Sequence, residues 1–352
     1  MSQEKVLMKG NEAMAEAAIR AGCRFFFGYP ITPQTEVAAY MAKRMPKIGG
    51  TYLQAESEIA AVNMVLGAAA AGVRAMTSSS SPGISLKGEG ISYMAGSDLP
   101  AVIINVQRGG PGLGGIQPSQ ADYWQATKAL GHGDFQILVF APSTVQEMVN
   151  LVSDAFDKAD QYRMPAMILA DGMLGQMMEP VELPEKKAQA AIEKPWAACG
   201  HGGKRRHNIV NSLYLTPNAL EDLVRERYAR YEVIKANEQR AEEYRTEDAD
   251  LIVVAYGASS RVARSAVNKA REEGLKVGLV RPITLWPFPT DAIQRAAKQA
   301  KQLLVVEMSM GQMVDDVRLA ANCSVPVHFY GRTGGIIPTP KEVLGEIKKL
   351  LK

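Results

Sequence analysis

Three features of the sequence predict an α/β fold, with a mostly parallel sheet in each of two domains. Short apolar runs rich in β-branched and aromatic residues alternate with helical segments from near the N-terminus onward. Runs such as AVIINVQ (101–107) and AMILA (166–170) are apolar almost throughout, as strands covered on both faces are. The chain has 352 residues, 47% of them hydrophobic, which is enough for two cores of ordinary size.

Taken in order, Asn11 is placed to cap a helix whose apolar face runs Met14, Ala17, Ala18 and Ala21, with Gly22 as its stop. FFFG (25–28) reads as a short buried strand. Thr32 and Pro33 stand at the N-cap and first position of the next helix. TYLQ (51–54) is a strand, and 56–72 is an alanine-rich helix apolar enough to require burial. Strands follow at 73–77, 101–107, 135–140 and 166–170, with helices between them. After Pro184 the pattern breaks. Residues 185–215 are mixed and carry the basic stretch GHGGKRRH (200–207). A charged helix is expected over 217–245, with Leu220, Leu223 and Val224 on one side, as a solvated element rather than a binding patch. A second α/β run then places strands at 249–257, 276–282, 302–308 and 325–331. The expected division is therefore 1–184, a linker of 185–247, and 248–352.

Composition excludes several classes. Forty Lys and Arg against 37 Asp and Glu leave +3, too balanced for binding nucleic acid through bulk charge. No run reaches the roughly 18–20 apolar residues of a membrane span, and 59–73 is interrupted by Asn63. The N-terminus lacks an apolar leader core, so a cytoplasmic location is expected. Cys23, Cys199 and Cys323 are too scattered for a disulfide framework or a cluster nest. Cys199, His201 and His207 form a loose group that fits no familiar zinc spacing.

Three loops at strand ends of the first domain carry the chemistry, because ligands of open α/β sheets bind there. In GYPITPQTE (28–36), the Thr32 hydroxyl either caps a helix or faces a ligand. In QAESEIAAVNMVLGAAAAG (54–72), Glu58 falls in the first turn of the helix, where the dipole supports a carboxylate; Glu56 is the competing acid. In AVIINVQRGGPGLGGIQPSQAD (101–122), Arg108 follows the strand directly, and its planar fork suits a carboxylate. Gly110, Gly112 and Gly115 satisfy GxGxxG only formally, since Pro118 delays any helix. TSSSSPGISLKGEG (77–90) adds a hydroxyl-rich turn. Phosphate-loop, zincin and hydrolase motifs are absent.

These segments together resemble the alpha subunit of 2-oxoacid:ferredoxin oxidoreductases over essentially the whole chain, and within that family the branched-chain (3-methyl-2-oxobutanoate, or 2-oxoisovalerate) subfamily. The resemblance implies a pyrimidine-binding domain of the thiamine diphosphate fold, followed by a domain like the C-terminal domain of transketolase. It implies that Glu58 bonds N1′ of the cofactor's aminopyrimidine, that Thr32 lies near the substrate carbonyl and carboxylate, and that Arg108 holds the carboxylate. Pro30 and Ile31 of the YPITP segment would line the cofactor. Such a carboxylate supports the tautomer that activates the cofactor for attack on a 2-oxo carbon. The expected reaction is oxidative decarboxylation to an acyl-CoA, with CoA as co-substrate and ferredoxin reduced.

One module is missing. ADG (170–172) does not continue as the diphosphate–magnesium motif of such enzymes. Mg2+, the diphosphate and [4Fe-4S] clusters are therefore expected on partners, namely a beta subunit and small gamma and ferredoxin-like delta subunits. The alternatives are the same chemistry on 2-oxoglutarate or pyruvate, half of a non-oxidative decarboxylase, and a non-catalytic assembly protein. The presence of Glu58 and Arg108 argues against the last.

Overall fold

The computed structural model describes residues 5–185 and 193–352. In the first part of the chain the elements are β1 (Val6–Lys9), α1 (Gly10–Arg20), β2 (Phe25–Gly28), α2 (Thr35–Arg44), β3 (Thr51–Gln54), α3 (Glu58–Ala70), β4 (Ala75–Ser79), α4 (Ser81–Gly96), β5 (Ala101–Gln107), β6 (Leu138–Phe140), α5 (Val145–Tyr162), β7 (Pro165–Asp171), α6 (Gly172–Gln176) and β8 (Met178–Val181). Then come α7 (Pro217–Asn237), β9 (Ala241–Tyr244), β10 (Leu251–Val254), α8 (Gly257–Glu272), β11 (Val277–Pro282), β12 (Thr284–Trp286), α9 (Thr290–Gln299), β13 (Gln302–Glu307), α10 (Met313–Ala320), β14 (Val327–Gly331) and α11 (Pro340–Leu350).

Two sheets result. The larger has the order β12-β6-β7-β5-β4-β2-β3 and is parallel except for β12 at its edge. The smaller has the order β14-β13-β10-β11-β9, with only β9 antiparallel. Strands β5 and β7 are buried along their whole length, as nearly continuous apolar runs require. Helix α5 shows the usual one-sided burial through Met148, Val149, Val152, Phe156 and Ala159, and Thr144 caps it by accepting the Glu147 N–H.

Several local expectations are corrected. Asn11 lies inside α1, not at its cap; its amide donates to the Pro33 carbonyl and the Glu36 carboxylate, both at 2.8 Å. Helix α2 starts at Thr35 with Gln34 at its N-cap, so Thr32 is not a cap but part of an exposed loop. Helix α3 begins at Glu58 behind Ser57, whose hydroxyl accepts the Ala60 N–H, and it is buried on one face only, Ile59 and Asn63 being exposed. The charged helix ends at Asn237 and docks through Arg227, Tyr231 and Ile234, while Leu220 stays exposed. AEEY then forms β9 instead of helix, because Arg281 and Arg264 neutralise Glu242 and Arg295 neutralises Glu243 along that edge. The β1–β8 ribbon and β12 are too short to have shown a period. Among the described residues, no group of three or more His, Cys, Asp or Glu is placed to hold a metal ion, and no helix is long and apolar enough to cross a membrane.

The two sheets meet at Asp171. Its buried carboxylate accepts the N–H groups of Met173 and Leu174 at the start of α6, at 2.9 and 3.1 Å, and that of Ala258 at the start of α8. Burial outweighs these bonds and raises the carboxyl from 3.8 to about 6. A folded-state value above the unfolded one means that this group's contribution rises as pH falls from about 6 towards 4. Replacing Asp171 with Asn should therefore cost more stability at pH 4.5 than at pH 7, by about 2 kcal/mol in urea titrations. An equal cost at both pH values would contradict the burial argument.

Candidate active site

Glu58, Thr32 and Arg108 come from three chain segments, those that follow β3, β2 and β5, and the turn after β4 lies between Glu58 and Arg108. The loop after β2 is fixed from behind. Gln34 accepts the Ser78 hydroxyl at 2.5 Å and donates to the Tyr29 carbonyl at 3.3 Å, while Asn11 holds Pro33. Pro30 and Thr32 are thereby left exposed at the sheet edge, with Ile31 half-buried between them.

Arg108 is 7% exposed and takes part in none of the ion pairs among the described residues. Its Nη1 donates to the Thr32 carbonyl at 3.0 Å and its Nη2 to the Leu113 carbonyl at 3.1 Å. Its Nε is buried without a partner. A buried guanidinium held only by carbonyls is an uncompensated cation, which fits an anionic ligand. Its backbone is pinned by Ser81, whose hydroxyl lies 3.0 Å from the Arg108 nitrogen and 2.6 Å from the Asp122 carboxylate. Burial raises the Asp122 carboxyl, while the bonds from Ser81 and Asn105 act against that shift.

Glu58 lies on the other side of the same α4 turn. It is 6% exposed, whereas Glu56 is exposed, so burial selects Glu58 of the two acids. The α4 turn comes so close that a Cβ on Gly83 would sit 2.6 Å from the Glu58 Oε1 and 2.2 Å from the Ser79 Oγ. Only glycine permits that approach. The hydroxyls of Ser79 and Ser80 are buried with no partner. A buried acid beside orphaned hydroxyls fits the polar ring of an aminopyrimidine, so the residues present suit thiamine diphosphate's pyrimidine.

The glycine loop after β5 is not a dinucleotide cradle. Pro118 bridges back to Arg108, and no helix begins before Tyr123. The loop instead runs to Gln120, fully buried against the second sheet. The Gln120 amide donates to the Tyr256 carbonyl at 2.8 Å and accepts from the Ser259 hydroxyl at 2.6 Å and the Met308 N–H at 3.0 Å. Sequence reasoning missed Gln120, Asp122 and Lys87. Only Lys87 left a signal, as the one cation of a helix made mostly of small and apolar residues.

The residues 16–246 match the family model described as pyruvate flavodoxin/ferredoxin oxidoreductase, thiamine diphosphate-binding, and residues 249–343 match pyruvate:ferredoxin oxidoreductase core domain II. The chain belongs to the 2-oxoacid:ferredoxin oxidoreductase family. It is 49% identical, over 98% of its length and 97% of the relative's, to ketoisovalerate oxidoreductase subunit VorB of Methanothermobacter thermautotrophicus. It also matches the solved 2-oxoglutarate:ferredoxin oxidoreductase from Magnetococcus marinus with 2-oxoglutarate, coenzyme A and succinyl-CoA bound. That likeness has a TM-score of 0.88 and 29% identity, and covers 99% of this chain and 66% of that longer one. A split-gene transketolase, an inactive beta4 tetramer, matches with a TM-score of 0.62 and 15% identity over 98% of each chain, a likeness of fold. The α/β class and the thiamine diphosphate enzyme family inferred from the sequence are thus both correct, and the chain is a subunit of an oxidoreductase that works with partner subunits.

Removing the Gln120 carboxamide leaves the Met308 N–H, the Ser259 hydroxyl and the Tyr256 carbonyl buried and unpaired. Gln120→Ala should cost about 3 kcal/mol in equilibrium unfolding, the penalty of two or three such groups. A change under about 0.5 kcal/mol would show that the domains dock without it.

Proposed function

We propose that this chain is the alpha subunit of a thiamine diphosphate-dependent oxidoreductase that converts 3-methyl-2-oxobutanoate and CoA to an acyl-CoA and CO2 while reducing ferredoxin. The observation that carries the reading is the buried, uncompensated guanidinium of Arg108 against Thr32, its backbone held by Ser81 in the same α4 turn whose Gly83 meets the buried Glu58. When bound, thiamine diphosphate supplies the activated carbon that attacks the 2-oxo group and takes up the electrons left by decarboxylation. Glu58 exchanges a proton with N1′ of its aminopyrimidine. Arg108 turns its free Nε and one Nη to the substrate carboxylate and fixes which bond faces the cofactor. Thr32 lines the same mouth, and Pro30 and Ile31 flank the cofactor.

The branched-chain substrate is supported by the loops on either side of Arg108. A dicarboxylate such as 2-oxoglutarate calls for a second cation there, and neither 29–33 nor 109–118 carries a lysine or a further arginine. The relatives named for ketoisovalerate point the same way.

We assign residues 1–184 to the pyrimidine-binding domain, 185–247 to a linker with its charged helix, and 248–352 to the transketolase C-terminal-like domain. Because the chain carries no diphosphate–magnesium motif and no cysteine nest, a beta subunit supplies Mg2+ and the diphosphate site, and partner subunits of beta, gamma and delta type carry [4Fe-4S] clusters. Leu53, Ile59 and Leu86, exposed near Glu58, suit the surface such a subunit covers. A cytoplasmic location belongs to the same reading.

In the assembled complex, Glu58→Gln should slow C2 proton exchange of the bound cofactor by about 10²–10⁴-fold while the fold survives. If Glu56→Gln does so and Glu58→Gln does not, the assignment is wrong by two residues. Arg108→Lys keeps the charge but loses the fork, and should raise the apparent KM for the 2-oxoacid about 10–150-fold with C2 exchange unchanged. A lower melting temperature with an unchanged KM would make Arg108 structural only.

A further inference from the structure

Lys87 is the one cation buried in the α3–α4 contact, and it has no part in binding the 2-oxoacid. Its side chain is completely buried. Its Nζ makes a single hydrogen bond, at 3.3 Å, to the backbone carbonyl of Glu58. No carboxylate lies within ion-pair distance of it among the described residues, and Glu58 is the charged group that acts on it. A lysine stem fills space no better than methionine does. Burying its ammonium is costly unless an anion repays the cost.

The surroundings leave Glu58 as that anion. Strands β2, β4 and β5, which pack on α3, carry no charged side chain. Helix α4 carries only Lys87 and Glu89, and Glu89 is exposed and accepts the Tyr93 hydroxyl at 2.5 Å. Asp122 is held by Ser81 and Asn105, Asp171 caps α6 and α8, and Glu56 is exposed. His132 lies beyond Tyr93, with the two rings 5.9 Å apart. The helical spacing agrees: Gly83, Lys87 and Gly90 fall on one face of α4, where Gly83 meets the Glu58 carboxylate and Gly90 meets Val62. The lysine head is thus brought beneath the first turn of α3.

We propose that Lys87 is a positioning residue whose buried ammonium keeps the Glu58 carboxylate ionised. A carboxylate held as the anion would leave on the ring the proton it shares with the aminopyrimidine N1′. Burial depresses the lysine to about 8, with the Glu58 charge opposing that shift, so the ammonium stays charged at neutral pH and below. The inference rests on the assignment of Glu58 in the proposed function, and it adds a residue that never touches substrate.

The test uses the assembled complex carrying Lys87→Met, which keeps the volume, and Lys87→Gln, which keeps a donor to the Glu58 carbonyl without charge. Melting temperatures of the cofactor-free complex are measured at pH 5 and pH 7, alone and with Glu58→Gln. Between these values a lone buried lysine stays protonated in both folded and unfolded chains, so only its coupling to Glu58 varies. The expected result is that both variants lose more stability relative to wild type at pH 7 than at pH 5, and that this difference vanishes in the Glu58→Gln background. In the loaded complex, the acid limb of the kcat/KM profile should move up by about one to two pH units, and Lys87→Arg should move it back. A loss equal at both pH values and in both backgrounds would overturn the proposal and leave Lys87 a packing residue. Coupling in the melting data with an unmoved acid limb would instead overturn the catalytic assignment of Glu58.

Discussion

The buried carboxamide of Gln120 is the contact on which the site's geometry depends. It joins the first domain to Tyr256 and Met308, which follow β10 and β13. Those two strands are neighbours in the middle of the smaller sheet, and their crossovers diverge there, the position at which an open α/β domain ordinarily takes a ligand. Here that crevice is closed by a residue of the larger domain. The smaller domain consequently serves as an anchor: it fixes the far end of the loop whose near end is Arg108. The Arg108–Pro118 bridge and the Arg108–Leu113 bond then set where the guanidinium points.

Two buried cations divide the work at this mouth. Arg108 has carbonyls around it and no acid, which leaves its charge directed to whatever binds beside Thr32. Lys87 has an acid nearby and no ligand face, which directs its charge to Glu58. Both are arranged by one element, the first turn of α4: Ser81 pins the Arg108 backbone, Gly83 admits the Glu58 carboxylate, and Lys87 follows four residues later. That turn is the SSSSPGISLK segment. Its run of small residues is explained by how closely two helices and a strand end must approach there.

The sequence reported well wherever burial dominated. Strands β5, β7, β10, β11 and β13 were legible because both faces are covered, and Glu58 and Arg108 stood out as candidates because a charge directly beside an apolar run is unusual. It reported poorly wherever partners far along the chain decided. AEEY is a strand only because arginines from α8, β11 and α9 neutralise its glutamates. Asn11 resembles a cap until Pro33 and Glu36, brought from another segment, take its amide. The apolar character of α3 implied complete burial, yet Ile59 remains exposed, since hydrophobic content does not say whether the covering surface lies in the same chain.

The most direct measurement is a structure of the assembled complex with thiamine diphosphate and an unreactive analogue of 3-methyl-2-oxobutanoate bound. The account predicts a Glu58 carboxylate oxygen within about 3 Å of the aminopyrimidine N1′, and Arg108 donating to the analogue's carboxylate beside Thr32. A pyrimidine ring held by a different acid, with Arg108 still bonded only to the carbonyls of Thr32 and Leu113, would contradict it.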